Sequence, residues 1–129
     1  MPSGSVSKIN LILEIIDKSK ITCELKRHLS PKTVGILSRS LPLEGNAHLL
    51  GKSIVYFETT INSGIERPRS VFKKGDVAFL PAEGSICFFI EDSEPGKKMT
   101  PLGKITSNVD ALTEVKSGDV FYLYADKGW

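Results

Sequence analysis

The sequence predicts a mainly β fold, closed into a barrel or stacked as a sandwich, with one or two short helices. Three observations carry that reading. Apolar and β-branched residues fall in about eight short runs, several with period-two alternation. Clusters of Gly, Pro, Asn, Asp and Ser punctuate the chain between those runs. No strand–helix–strand alternation runs through it, which removes a doubly wound parallel sheet.

The elements follow in order. Ile9 to Ile16 (INLILEII) is rich in β-branched residues, and Asp17, Lys18 and Ser19 break it. Lys20 to Arg27 (KITCELKR) then alternates, with Ile21, Cys23 and Leu25 on one face and Thr22, Glu24 and Lys26 on the other. The pair reads as a β-hairpin with one buried face. Ser30-Pro31 is a helix start, with Ser at the N-cap and Pro at the first helical position. Val34, Leu37, Ser38 and Leu41 keep helical spacing until Pro42 stops the segment. Gly45 to Leu50 and Ser53 to Ile61 are strands around a Gly51-Lys52 turn, and Tyr56, Phe57, Thr59 and Thr60 favour that state. After a loop from Ile65 to Lys74, Gly75-Asp76 opens a strand over Val77 to Leu80. Pro81 to Gly84 is a turn. Ser85 to Glu91 is the most apolar strand; period two places Ile86, Phe88 and Ile90 in the core and turns Cys87 and Phe89 the other way. A polar loop, Asp92 to Thr100, leads to a short strand from Leu102 to Thr106. One or two helical turns are expected over Asp110 to Lys116, and a last strand over Val120 to Tyr124.

A chain of 129 residues buries roughly two thirds of its unfolded surface, enough for a core without disulfide or metal staples. One domain is expected over 8–129, behind a flexible Pro-Ser-Gly leader at 1–7. The leader lacks the basic-then-apolar pattern of a signal peptide. The net charge of +2 is too small to predict nucleic-acid or membrane binding, and no apolar run nears the ~20 residues a membrane span needs. Cys23 and Cys87 sit in strand-like runs, with no second Cys or His at metal spacing. They read as two buried thiols of a cytoplasmic protein.

Motifs that carry chemistry are few. Gly45 to Ser53 (GNAHLLGKS) looks like a phosphate-binding loop, but five residues separate its glycines where four are needed, and a strand follows instead of a helix. The only histidines, His28 and His48, have no ligand partner at helical spacing, so no metal is expected. No Gly-x-Ser-x-Gly elbow marks a nucleophile. Arg67, Arg69, Lys73 and Lys74, with Phe72 beside them, form a basic loop able to meet an anionic ligand, though a solvated loop is the plainer reading. Glu91, Asp92 and Glu94 form an acidic patch that nothing marks as buried.

Three stretches, ERPRSVFKKGDV (Glu66 to Val77), GDVAFLPAEGSICFFI (Gly75 to Ile90) and LGKITSNVDALTEVKSGDV (Leu102 to Val120), in this order resemble the small cyclophilin-like barrel family of bacteria and archaea. The likeness covers Lys8 to Ala125 and implies a closed, eight-stranded cyclophilin-like antiparallel barrel with a helix at one end. In true cyclophilins, which are peptidyl-prolyl isomerases, a Phe-His-Arg strand supplies the arginine that polarises the prolyl amide. The matching residues here are Phe57-Glu58-Thr59, so that arginine is missing. A Ser-x-Gln-Phe-Phe-Ile strand is matched by Ser85 to Ile90, with Cys87 in place of Gln. The pocket Trp and His have no counterpart, and Met99 is nearest to the His.

The resemblance therefore implies a non-catalytic barrel that binds a small molecule or an extended peptide, with no cofactor. The groove is expected beside Cys87 and Phe89, lined by Thr59, Phe72 and Met99, with Arg67 or Arg69 at the rim. The alternative is a weak prolyl isomerase on the same face, with one of those loop arginines as donor. A third reading, from relatives that serve as subunits of 5-oxoprolinase-type assemblies, is an enzyme subunit; it requires an exposed apolar patch. A homo-oligomer is equally open.

Overall fold

The computed structural model describes residues 8–127, so the leader expected at 1–7 and the end of the expected domain, 128–129, lie outside the described residues. Nine strands form one antiparallel sheet: β1 (Lys8–Ile15), β2 (Ser19–Lys26), β3 (Leu43–Asn46), β4 (His48–Leu50), β5 (Ile54–Glu58), β6 (Asp76–Leu80), β7 (Ser85–Phe89), β8 (Thr100–Ser107) and β9 (Val120–Ala125). Helix α1 spans Pro31–Ser40, and short 3-10 turns occupy Pro81–Glu83 and Val109–Glu114.

Strand order in the sheet is β3-β9-β1-β2-β8-β6-β7-β5-β4. Its two edges, β3 and β4, are consecutive stretches of chain with only Ala47 between them. One run therefore pairs with β9 through its first half and with β5 through its second, and this curls the sheet into a nearly closed barrel. The sequence counts this run as a single strand. A strand that must serve two partners has to turn between them, and it turns at Ala47, which is fully buried. The Ala47 N–H donates to the Asp119 carbonyl (2.7 Å) and its carbonyl accepts from the Gly118 N–H (2.9 Å). Beside the seam, β3 lies so near β5 that a Cβ on Gly45 would sit 2.9 Å from the Phe57 ring.

The pleat sorts side chains as the alternation predicts. Leu11, Leu13 and Ile15 of β1 and Ile21, Cys23 and Leu25 of β2 are buried inside the barrel. Ile86 and Phe88 of β7 join them, with Ile90 packed against that core. Phe121 anchors its centre, edge-on to Phe57 (5.8 Å between ring centroids) and to Phe88 (6.2 Å). Two strands open with the same local device. Asp76 and Asp119 each accept a hydrogen bond from the backbone N–H of the lysine three residues earlier, Lys73 (2.9 Å) and Lys116 (2.8 Å). This explains why Gly-Asp marks a strand start in both places.

Helix α1 forms where expected, with Pro31 in its first turn and Leu41 as C-cap. Ser30 stands at the N-cap as expected, and its carbonyl accepts from the Val34 N–H (2.9 Å). Its hydroxyl donates to the Leu29 carbonyl (2.7 Å) and makes no cap hydrogen bond. Another residue supplies the side-chain cap, as described below. Among the described residues no helix is long and apolar enough to cross a membrane.

Candidate functional site on the outer face of the barrel

The strands that bury Phe57, Phe79 and Phe88 inward turn a second row of side chains outward. Register places Ile54 opposite Phe89, Tyr56 opposite Cys87, and Cys87 opposite Ala78. On an ordinary barrel this row would meet water. Here Ile54, Ala78, Cys87 and Phe89 belong to a second buried cluster, completed by Phe72 and Met99 and flanked by Tyr56 and Leu80. Two connections supply the cover: residues 59–75 between β5 and β6, and residues 90–99 between β7 and β8.

The first connection crosses the face as a strap, bent at Arg67 and Ser70. Arg69 and Met99 exchange two backbone hydrogen bonds (2.9 and 3.0 Å), and Phe72 and Ser93 exchange two more (2.9 Å each). The Phe72 ring stacks on Phe89 with centroids 4.6 Å apart and planes 16° from parallel. Relative exposures of 1% for Phe72, 2% for Cys87 and 0% for Phe89 and Met99 mean that these residues present almost no surface to a ligand. The apolar site expected beside Cys87 and Phe89 is filled by the chain itself.

Of the seven residues picked from sequence, Phe72, Cys87, Phe89 and Met99 thus come together. Arg69 is exposed and borders a small cleft of ≈ 120 Å³ with Lys26, His28, Asp76 and Lys104. Arg67 donates to the His28 carbonyl. Thr59 lies beyond the end of β5, where its hydroxyl donates to the Gly84 carbonyl (2.7 Å) and accepts from the Ile61 N–H (3.0 Å). Its bonding capacity is used in a turn. Burial pushes the thiols of Cys23 and Cys87 up to about 12. At neutral pH both are neutral and weakly reactive. Cys23 belongs to the barrel core and Cys87 to the outer cluster, and both are free.

Glu66 holds the strap in place. Its carboxylate accepts hydrogen bonds from the Lys32 N–H (3.1 Å), the Thr33 N–H (2.8 Å) and the Thr33 hydroxyl (2.8 Å). It therefore caps α1 from more than thirty positions away, satisfying donors that a helix start leaves open. The Glu66 N–H in turn donates to the buried Thr100 hydroxyl (2.9 Å). Partial burial pushes the Glu66 carboxyl up, but the Thr33 and Lys32 donors, with Arg67 nearby, outweigh it and hold the group below its ordinary value. A carboxyl depressed on folding contributes stability that is complete above its unfolded value, near ~4.3, and lost as pH falls through the folded one. Glu66→Gln is accordingly expected to be less stable than the parent at neutral pH, with the gap closing on acidification. Urea titrations at both pH values check this, and a gap unchanged at acid pH would contradict it.

Sequence reasoning missed Ile54, Ala78 and Glu66. The first two are visible in the alternation of IVYFE and DVAFL once both faces of those strands are known to be covered. For Glu66 no local signal exists. Among the described residues, no group of three or more His, Cys, Asp and Glu could hold a metal ion. Among the described residues, Ile16, Leu49, Leu50, Ile65 and Val71 are the exposed large apolar side chains, and of these only Leu49 and Leu50 are sequence neighbours.

A nearly closed antiparallel barrel with a covered outer face and a helix at the β2–β3 connection defines the class. The chain belongs to the cyclophilin-like family, whose model matches residues 7–123. A hypothetical protein from Archaeoglobus fulgidus, solved in solution, has the same fold, with a TM-score of 0.76 and 21% identity over 93% of this chain and 96% of that one. McbB, solved in complex with tryptophan, gives a TM-score of 0.75 at 17% identity; the match covers 92% of this chain and 45% of McbB. No curated protein matches the chain.

Proposed function

We propose that this chain is a non-catalytic cyclophilin-like barrel that binds an extended peptide on the outer face of β5, β7 and β6. One observation carries the reading. A segment of the chain already lies over that face, joined by paired backbone hydrogen bonds to Met99 and Ser93 of the facing connection and anchored by an aromatic side chain stacked on Phe89. Main-chain bonds with a side chain in a pocket are the general means by which sheets hold extended peptides.

Catalysis has no support at the same place. Prolyl isomerisation crosses a barrier of ~20 kcal/mol and needs a donor aimed at the prolyl amide. Thr59 is committed to a turn, Arg67 to the His28 carbonyl, and the Cys87 thiol is buried and neutral. A protease-coupled assay with a proline peptide is expected to show no rate above background while a true cyclophilin is active in parallel. A rate that falls in an Arg67→Ala/Arg69→Ala variant would overturn the non-catalytic reading. Binding is read by NMR titration of the folded Phe72→Ala variant, whose site lacks its own ring, with N-acetyl-phenylalanine amide at millimolar concentration. Shifts are expected at the amides of Cys87 and Phe89, and none there would remove this face as the site.

A further inference from the structure

We propose that the strap is a tethered self-ligand: residues 69–74 occupy the peptide site, Glu66 latches them to α1, and the partner they exclude is an extended segment with an aromatic side chain followed by basic residues. This rests on the reading that the outer face binds peptide, and it adds the chemistry of the partner and the means of control.

Three features of the strap support it. First, only one of its side chains between positions 67 and 74 is buried. Arg67, Pro68, Arg69, Ser70, Val71, Lys73 and Lys74 are exposed, while Phe72 is sunk among Ile54, Ala78, Cys87, Phe89 and Met99. A segment that existed to build a core would bury more than one residue in eight. A bound peptide anchored by a single aromatic would look like this.

Second, the charges are complementary. Lys73 and Lys74 follow Phe72, and the chain they lie against carries Glu91, Asp92 and Glu94 around Ser93. The Lys74 N–H donates to the Asp92 carboxylate (2.8 Å) and its ammonium reaches Asp110 (3.1 Å). Lys73 lines the same hollow as Asp92 and Glu94, and the Lys74 ammonium pairs with Asp110, so a neutral or acidic segment would bring neither positive charge to these carboxylates. Basic residues after the aromatic suit them, and this sets the polarity and composition of the partner.

Third, the strap is fastened outside the site it fills. The Glu66 carboxylate takes three hydrogen bonds from Lys32 and Thr33 at the start of α1, and its own N–H goes to Thr100. Lys32 and Thr33, which take the carboxylate, are not members of the cluster around Phe72, while Thr100 follows Met99 of that cluster in the chain. Such an anchor holds a weak ligand at high effective concentration. The apparent affinity for a partner falls by the fraction of molecules with the strap open, and loosening the latch raises it.

The test uses the full chain and an N-acetylated, C-amidated, fluorophore-labelled peptide with the sequence of residues 67–75 (RPRSVFKKG). Anisotropy titrations are run on the parent, on Phe72→Ala and on Glu66→Ala, each with a melting curve to show folding. Phe72→Ala is expected to bind at least tenfold more tightly than the parent, and Glu66→Ala to bind more tightly than the parent while retaining its own Phe72. A peptide with alanine in place of phenylalanine is expected to bind none of them. If Phe72→Ala does not fold, Glu66→Ala carries the test alone. Equal affinity for parent and variants would overturn the self-ligand while leaving the outer face as a binding site. Absence of binding by every folded chain would overturn both.

Discussion

Replacing Gly103 by alanine is expected to leave little folded protein. Gly103 lies in β8, in the middle of the sheet, opposite Leu25 of β2 on one side and Val77 of β6 on the other. A Cβ there would sit 1.9 Å from the Glu24 carbonyl oxygen and 2.9 Å from both the Glu24 carbonyl carbon and the Leu25 Cα. All three are backbone atoms of a paired strand, so no rotamer change relieves the clash. Either β2 and β8 separate or β8 shifts register, and a one-residue shift would turn its buried side chains outward. A penalty on the order of 4 kcal/mol is expected, at the extreme of single substitutions and a large part of the ~5–15 kcal/mol that holds a domain together. Gly64→Ala is the control. No neighbouring atom lies within 4 Å of a Cβ at that exposed position, and its effect should stay within about 0.5 kcal/mol. Soluble yield and thermal melts of the two variants decide it; equal stability would mean that β2 and β8 yield far more easily than their pairing suggests.

The readable part of this protein is the part governed by local periodicity. Alternation in INLILEII and KITCELKR follows from one face meeting a core, and the pleat turns that into β1 and β2 with little error. The same rule separates Ile86 and Phe88 from Cys87 and Phe89. What the rule cannot say is whether the second face meets water or another layer. That depends on residues 59–75 and 90–99, which have no period to read. Phe72 stands out in a basic loop, but its partner Phe89 is seventeen positions away and its bridge partner Ser93 twenty-one. The break at Ala47 is hidden for a related reason. Gly45-Asn46 is a turn-forming pair before Ala47, but it is as readily the opening of a strand, and the chain turns there because β9 takes the residues before Ala47 and β5 those after it. Glu66 is the extreme case. A helix start advertises caps within a few residues, and Ser30 offers one, but the open donors are met by a carboxylate that only the strap's path brings near.

Two phenylalanines separate the barrel from its cover, and truncating each should give different results. Phe88 and Phe72 are both 1% exposed, so area alone predicts the same loss. Their surroundings differ. Phe88 lies in the barrel core and meets Phe121 edge-on, and Phe121 meets Phe57. That site cannot collapse without breaking the ladder between β5, β6 and β7, so Phe88→Ala should cost the ~3–5 kcal/mol of a rigid aromatic cavity. Phe72 is enclosed on one side by the barrel and on the other by its own strap, whose hydrogen bonds to the facing connection come at Arg69, Phe72 and Lys74. The strap can settle or lift, and the cost should fall nearer ~2 kcal/mol because it depends on how far a cavity relaxes. Urea titration measures both values. Hydrogen exchange distinguishes their causes: in Phe72→Ala the amides of Arg69 and of position 72 should exchange through a local opening while Leu13 and Phe88 keep the global rate. If Phe72→Ala costs as much as Phe88→Ala, and its strap amides exchange only with the whole barrel, the strap is part of the fold's single cooperative unit. It would then have no open state to offer a ligand. If the two variants part as expected, the outer face is a site that the barrel can expose without unfolding.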